Sequence, residues 1–495
     1  MKARLSYLLH PSLTVGAPIG AANVRERSWF CARFLAVGAL VGMGCAVGPN
    51  YKRPVVQAPA QYRGAPAAGT PASLADQKWS DLFQDETLKQ LVAAALENNF
   101  DLGIASERVI EARARFRISQ AAQFPLLGVQ GQFNMSRPSS VGANTGVQPG
   151  TSLDVSYTQA GVALSWELDF WGRVRRLKES ARAQYLATEE GRRGVVVSLI
   201  GDVADGYFNL REGDLELDIA GRTRDIATQN LKLVNLRHDR GAATGLDVHQ
   251  AEQFLYTATA QIASTQRDID QTENALSLLL GRIPGDIARG KTLDQFNFPA
   301  EVPPGLPSSL LERRPDIRQA EENLIAANAQ IGMAKALYFP QISLSGFIGG
   351  QSRALSDLFT APARDWFGGP TAALLLPIFQ AGQIRAGVRL SEAQKREMIL
   401  TYQKTIYNAF REVSDALSGY DRTRQQRTQQ ELLVAALTES DRLSTLRYQG
   451  GRDSYLQVLD AERNLFQGQL ALARLRLQET LWFVQIYKAL GGGWQ

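Results

Sequence analysis

The stretch from Arg237 to Glu252 is written a second time from Arg447 to Glu462, 210 positions later. Arg237 falls on Arg447, Gly241 on Gly451, Leu246 on Leu456, Val248 on Val458, and Ala251-Glu252 on Ala461-Glu462. In each copy a Thr or Ser precedes an acid or amide by three residues, Thr244 with Asp247 and Ser454 with Gln457, a pattern that caps a helix start. Each copy therefore reads as a turn joining two helices. A second match, at an offset of 215, places Glu97, Asp101, Ala105, Ala112, Ala114, Phe124 and Pro125 on Glu312, Asp316, Ala320, Ala327, Ala329, Phe339 and Pro340. Together the matches make the chain a tandem duplication. A Pro-stopped helix, a strand, a loop, a strand, a long helix, a tip and a return helix occur twice in that order.

The helices are long. No proline occurs between Pro149 and Pro284 or after Pro377. A helix from Gly172 to about Arg237 would reach roughly 100 Å, and the return from Leu246 to about Leu280 roughly 50 Å. The last helix carries two apolar rows. Leu459, Phe466, Ala473, Thr480 and Tyr487 form one, with Leu470, Leu477 and Val484 between. Val458, Leu465 and Leu472, with Ala461, Gly468, Leu475 and Trp482, form the other. Two rows require two neighbours, as in a curved wall of helices. Glycines 191, 194, 201, 206, 213 and 221 lie inside the first long helix, each at a cost of up to about 1 kcal/mol relative to Ala. Close helix approach explains them better than a hinge.

Ahead of each hairpin stand alternating segments. Ala160, Val162, Leu164, Trp166, Leu168 and Phe170 are apolar, against Tyr157, Gln159, Ser165, Glu167 and Asp169. Leu127, Val129, Phe133 and Met135 alternate with Gln130, Gln132 and Asn134, and Ile342, Leu344 and Ile348 with Gln341, Ser343 and Ser345. Alternation alone fits a soluble sheet as well as a transmembrane barrel. The loops 137–153 and 349–369, long and rich in Ser, Gly, Asn and Pro, favour the barrel. On that reading Leu164, Trp166, Leu168 and Phe170 face lipid. Four strands cannot close a barrel, so subunits share one; a dimer supplies eight strands and a trimer twelve.

Arg25, Arg27 and Arg33 precede an apolar run from Phe34 to Met43, too short to span a bilayer and suited to a secretion signal. The run ends in Gly42-Met43-Gly44-Cys45, which resembles a bacterial lipoprotein cleavage site with Gly42 where that motif usually has Leu or another aliphatic residue, so 1–44 reads as signal peptide and Cys45 as a lipidation candidate. The strap 45–78 shows no apolar period. The first repeat then covers 79–281, with strands near 126–135 and 155–170 and a tip near 238–246. A Pro- and Gly-dense linker at 282–310 lies on the helical wall. The second repeat is 311–495, with strands near 341–348 and 371–379 and a tip near 448–454.

A net charge of +5 over 495 residues, with no basic run interleaved with aromatics, does not favour nucleic acid. The only cysteines are Cys31 and Cys45, so no metal or redox motif is expected. The three histidines, His10, His238 and His249, match no catalytic motif, so the chain is read as no enzyme, with no cofactor beyond a covalent lipid on Cys45. A periplasmic coiled-coil adaptor or scaffold lipoprotein is the competing class. It would need one hairpin in a β-rich chain and leaves strand pairs ahead of both hairpins unexplained.

From Cys45 to the carboxyl end the sequence resembles the outer-membrane factor family, the TolC and OprM type. The resemblance is carried by Cys45 to Pro54, Trp79 to Leu91, Ser165 to Arg173, Arg313 to Ile317, Phe410 to Asp415, both tips and Tyr487 to Trp494. It implies a mainly α protein with transmembrane β. Its tandem-repeat protomer of long α-helical hairpins and four β-strands would assemble as a trimeric 12-strand outer-membrane β-barrel on a 12-helix periplasmic α-barrel. Twelve helices about 10 Å apart give a lumen of roughly 25 to 30 Å. The implied function is the exit duct of a tripartite efflux pump for small molecules, with a periplasmic adaptor and an inner-membrane transporter as partners; a protein-secretion duct is the alternative. The tips would form a periplasmic gate, with Asp460 as an acidic ring and Tyr448 as a gate tyrosine by resemblance. Arg237 and Arg447, each about one helical turn before its tip, are the candidate gate cations, and Asp247 and Gln457 are gate or capping residues. Asp453 stands where the TolC type has a basic residue.

Overall fold

The computed structural model of the chain describes residues 46–64, 73–137, 154–296, 298–299, 302–360 and 365–493. Cys45, the segment 1–44 and residues 138–153 of the first loop lie outside them. The principal elements are α1 (Glu86–Asn98), α2 (Phe100–Ala121), β1 (Leu126–Ser136), β2 (Val155–Leu168), α3 (Arg173–Asp239), α4 (Gly245–Leu279), α5 (Pro307–Arg313), α6 (Pro315–Ala336), β3 (Gln341–Ser352), β4 (Asp365–Leu375), α7 (Gln383–Gln449) and α8 (Tyr455–Ala489). The duplication is literal in the helices. α2 and α6 have 22 residues each, α3 and α7 have 67, and α4 and α8 have 35.

The chain divides into a sheet unit, centred on 123–175 and 336–378, and a helical unit that holds the rest of the described residues. In the sheet unit the strand order is β1-β2-β3-β4, all antiparallel. The fourth strand runs over Asp365–Leu375, six residues before the expected start at 371, and β3 continues to Ser352, so the second loop is shorter than expected. Glycine and proline had disguised both strand ends as loop. Gly349 pairs with Gly161, Gly368 with Ile348 and Pro370 with Gly346, all inside the ladder. Phe170 also falls outside its strand, because β2 ends at Leu168 and a bend follows. The bend is built to start α3. The Asp169 carboxylate accepts from the Val174 and Arg175 backbone amides, and Glu167 takes a bidentate pair of bonds from Arg173. Trp171 stacks on Phe339 at 4.7 Å and donates to the Pro340 carbonyl.

In the helical unit Asp85 caps α1 and also accepts from the Tyr207 hydroxyl and the Lys291 amide, which ties α1, α3 and the linker together while fully buried. The linker packs through Phe296 on Phe208 and through Phe298 on Phe483, thus on α3 and α8. Arg314, buried, donates to Asp316, to Glu412 of α7 and to the Ala489 carbonyl that ends α8. Two of the family-like segments, 98 residues apart, therefore meet in one ion cluster. The strap crosses α6. Asn328 donates to the Pro49 carbonyl, Tyr51 to Glu321, and Arg53 to Glu312, Glu321 and the Tyr402 hydroxyl.

The two rows of α8 find separate partners. Leu459 and Phe466 join Phe254 and Ala251 of α4 in one apolar cluster, with Phe466 and Phe254 edge to face. On the other side Gly468 lies against Leu437 and Val434 of α7. The glycines of α3 divide. A Cβ on Gly206 or Gly213 would stand 2.7 Å from Leu276 or 2.9 Å from Ile269 of α4, whereas nothing lies within 4 Å of Gly194 or Gly221.

Candidate functional site

The register of the sheet fixes two faces. Leu127, Val129, Phe133 and Met135 of β1 share a face with Val162, Leu164, Trp166 and Leu168 of β2, with Ile342, Leu344 and Ile348 of β3, and with Ala372 and Leu374 of β4. Val129 is 87% exposed and Leu374 66%, so this apolar face is bare in the protomer. Trp166 donates its indole N–H to the Gln123 carbonyl at 3.1 Å, an apolar ring with a satisfied polar handle. The opposite face carries Gln130, Gln132, Asn134, Gln159, Ser165, Ser345, Gln351 and Thr371, with Gln159 bonded to Gln132. Phe347 and Phe367 also stand on this polar face and lie over the Gly161–Gly349 pair; a Cβ on either glycine would come within 2.9 Å of the Phe347 ring. β1 and β4 each lack a partner on their outer side among the described residues. An open edge in hydrocarbon leaves amides and carbonyls unpaired at several kcal/mol each, so a sheet with one lipid-compatible face has to close with further strands.

The tips are not equivalent. At the first, Thr244 and Asp247 form the capping box, the Asp247 carboxylate accepting from the Thr244 amide at 2.8 Å. At the second the expected box fails: the Ser454 side chain makes no capping bond, and Gln457 is exposed. Arg447 turns back onto Asp453, and that cation holds the Asp453 carboxyl below its usual range. The first copy has Ala243 at the matching position, so Arg237 has no such local acid. Arg237 instead crosses to the second hairpin. Its guanidinium lies 4.2 Å from the Tyr448 ring centroid and donates to the Tyr448 and Gln449 carbonyls at 3.1 and 3.2 Å. These carbonyls end α7, where a cation also meets the negative end of the helix dipole. Tyr448 is buried and packs on Tyr455 at 5.5 Å, and its hydroxyl has no partner among the described residues. Asp460 is exposed and, among the described residues, accepts from Asn464, one turn on.

Four of the expected tip residues thus come together as two unequal sets, Arg237 with Tyr448 and Arg447 with Asp453, while Asp247 is a cap and Gln457 and Asp460 stand free of both. Sequence reasoning missed Glu462 and Asp441. Both lie inside the hairpin behind the tip, and Glu462 is buried with one carboxylate oxygen unpartnered. The signal was there: Glu462 matches Glu252, which in the first copy is half-exposed and paired with His249.

An amphipathic antiparallel sheet that needs other copies to close, in a chain of duplicated helical hairpins, defines a subunit of an outer-membrane duct. The family model described as Outer membrane efflux protein matches residues 91–282 and 306–492, one stretch in each repeat, and the chain belongs to that family. It is 40% identical over 457 residues to the solvent efflux pump outer membrane protein SrpC of Pseudomonas putida, covering 91% of this chain and 96% of that protein. It is 35% identical over 458 residues to the cation efflux system protein CusC of Escherichia coli K12, covering 92% and 98%. Among solved structures, the open state of the Neisseria gonorrhoeae MtrE outer membrane channel superposes with a TM-score of 0.80 at 31% identity, covering 91% of this chain and 99% of that one. The protein is an outer-membrane efflux channel subunit.

Proposed function

We propose that three copies of the chain form the exit duct of a tripartite efflux pump, passing small molecules that an inner-membrane transporter delivers through a periplasmic adaptor. The observation that carries the reading is the sheet with two faces and two unpaired edges. Three copies supply twelve strands and abolish every edge, with the Gln- and Ser-rich face turned to the lumen. A second copy also accounts for α2, where Ile104, Ile110 and Ile118 are 51%, 60% and 72% exposed. On this reading Cys45 is the lipidated first residue of the mature chain, so Cys45→Ser should remove labelling by palmitate, and retained labelling would overturn it. Because the relatives are named for solvents and for cations, lumen chemistry does not choose the cargo, and selection belongs to the transporter.

The tips close the periplasmic end. Arg237 clasps Tyr448 across the hairpins within each copy, and Asp460 lines the narrow axis as a threefold ring of carboxylates that attracts cations. The purified protein should run as a heat-modifiable trimer and form channels in planar bilayers, and Asp460→Ala should lower cation selectivity. A monomer without channel activity would remove the duct; unchanged selectivity would move the constriction elsewhere.

A further inference from the structure

Behind the second tip, three buried polar atoms have no hydrogen-bond partner among the described residues: an Asp441 carboxylate oxygen, the Tyr448 hydroxyl and a Glu462 carboxylate oxygen. The antiparallel register that lays Gly468 against Val434 and Leu437 sets Glu462 on α8 opposite Asp441 on α7. The surroundings are apolar. Val458 and Leu459, one turn before Glu462 on α8, and Val234, one turn after Asn230 on α3, belong to an apolar cluster with Ala251, Phe254 and Tyr455. The charged and titratable groups facing Glu462 are few. α3 offers Asn230, a neutral amide that donates to one Glu462 oxygen. α7 offers Asp441, a like charge, while the Tyr448 phenol faces Tyr455 instead. Tyr455 is on α8 itself, and on α4 Asp247 is engaged by Thr244. Of the cations of the region, Arg237 is used on Tyr448, Arg447 on Asp453 and Arg442 on Glu439, while Lys232 of α3 and Arg463 of α8 are exposed to solvent and form no ion pair with Glu462 among the described residues.

Two carboxylates facing each other without a cation cannot both be ionised in an apolar setting unless water enters or the helices part. We propose that Glu462 and Asp441 form a proton-operated latch: neutralised, they let α3, α7 and α8 pack behind the tips, and ionised, they drive that packing apart. The proposal rests on the reading of the tips as the closed end of the duct. Burial, then the Asp441 charge, pushes the Glu462 carboxyl up to about 7 from 4.5, and burial raises Asp441 too. A carboxyl whose pKa is raised in the packed state binds more protons packed than loosened. Packing is therefore fully favoured below the loosened value of about 4.5 and is progressively lost as pH rises through about 7. Acid holds the tips together and alkali loosens them.

The test uses the full trimeric duct with a nitroxide at Ala242→Cys on the first tip, read together with bilayer conductance between about pH 5 and about pH 8.5. In the wild type, nitroxide mobility and conductance should both rise through about pH 7, with the loosened fraction changing on the order of tenfold or more. Glu462→Gln keeps the acceptor for Asn230 and imitates the protonated acid, so it should hold both readouts at their acid values. Asp441→Asn should shift the midpoint down. Glu212→Gln, which changes a half-buried carboxyl on α3 away from the tips, should leave the wild-type response in place. A Glu462→Gln duct that follows the wild-type curve, or a wild type flat in nitroxide mobility, overturns the latch. Should Glu462→Gln fail to assemble, an unmoved midpoint in Asp441→Asn overturns it equally. A pH response of the nitroxide without one in conductance keeps the latch and removes the gate reading.

Discussion

Among the positions at which the two tips differ, one sets the partners of their arginines. Where the first has Ala243 the second has Asp453, and the acid decides which arginine stays home. Arg237, left without a local carboxylate, becomes the clasp on Tyr448. That clasp works through the ring and two carbonyls, because the Tyr448 hydroxyl is unpartnered among the described residues. Arg237→Ala should therefore raise bilayer conductance, while Tyr448→Phe, which keeps the ring, should stay near wild type. A Tyr448→Phe channel as open as Arg237→Ala would place the hydroxyl's partner in a neighbouring copy. The sheet permits a similar contrast between adjacent residues. Leu164 is on the apolar face and Ser165 on the polar one, so Leu164→Arg should weaken assembly by about 2–4 kcal/mol near the bilayer midplane. Ser165→Arg should be tolerated better. Thermal dissociation of the trimer in detergent measures both, and equal losses would deny the faces their assignment.

At the level of elements, much was legible because the chain states each one twice. The equal lengths of α3 and α7, and of α4 and α8, follow from the 210-residue offset. The same offset carries Val155, the start of β2, onto Asp365, the start of β4. Composition pointed to 371 instead, since Gly368, Gly369 and Pro370 look like loop when their ladder partners are unknown. Contacts between hairpins were not legible, because periodicity reports which face is buried and not what covers it. The strap is the plainest instance. It covers α6 and leaves its repeat counterpart α2 bare, and nothing in the Pro-rich segment names the helix it will cross. Glycines in α3 show the same limit. Gly206 meets Leu276 closely and Gly194 meets nothing. Gly206→Ala should cost about 1–3 kcal/mol by overpacking. Gly194→Ala should stabilise by up to about 1 kcal/mol. Chemical denaturation of the two variants would separate them, and identical shifts would mean that helix packing does not decide the cost.

For the molecule as a whole, the matched helix lengths carry a constraint on how such a chain can change. Every residue added to one pass advances its tip by about 1.5 Å and rotates the remainder by about 100°. One added residue in α3 would swing Arg237 away from Tyr448 and turn both rows of its neighbours off their seams. A length change can be absorbed only when it comes in whole heptads, which keep the faces, and when all four passes take it together. Deleting seven residues from α3 alone should abolish efflux complementation. Deleting seven at matched heights from α3, α4, α7 and α8 should leave a folded trimer about 10 Å shorter. Gene duplication fixed the passes in matched pairs, α3 with α7 and α4 with α8, and insertions and deletions are left to the loops, where the two repeats do differ in length.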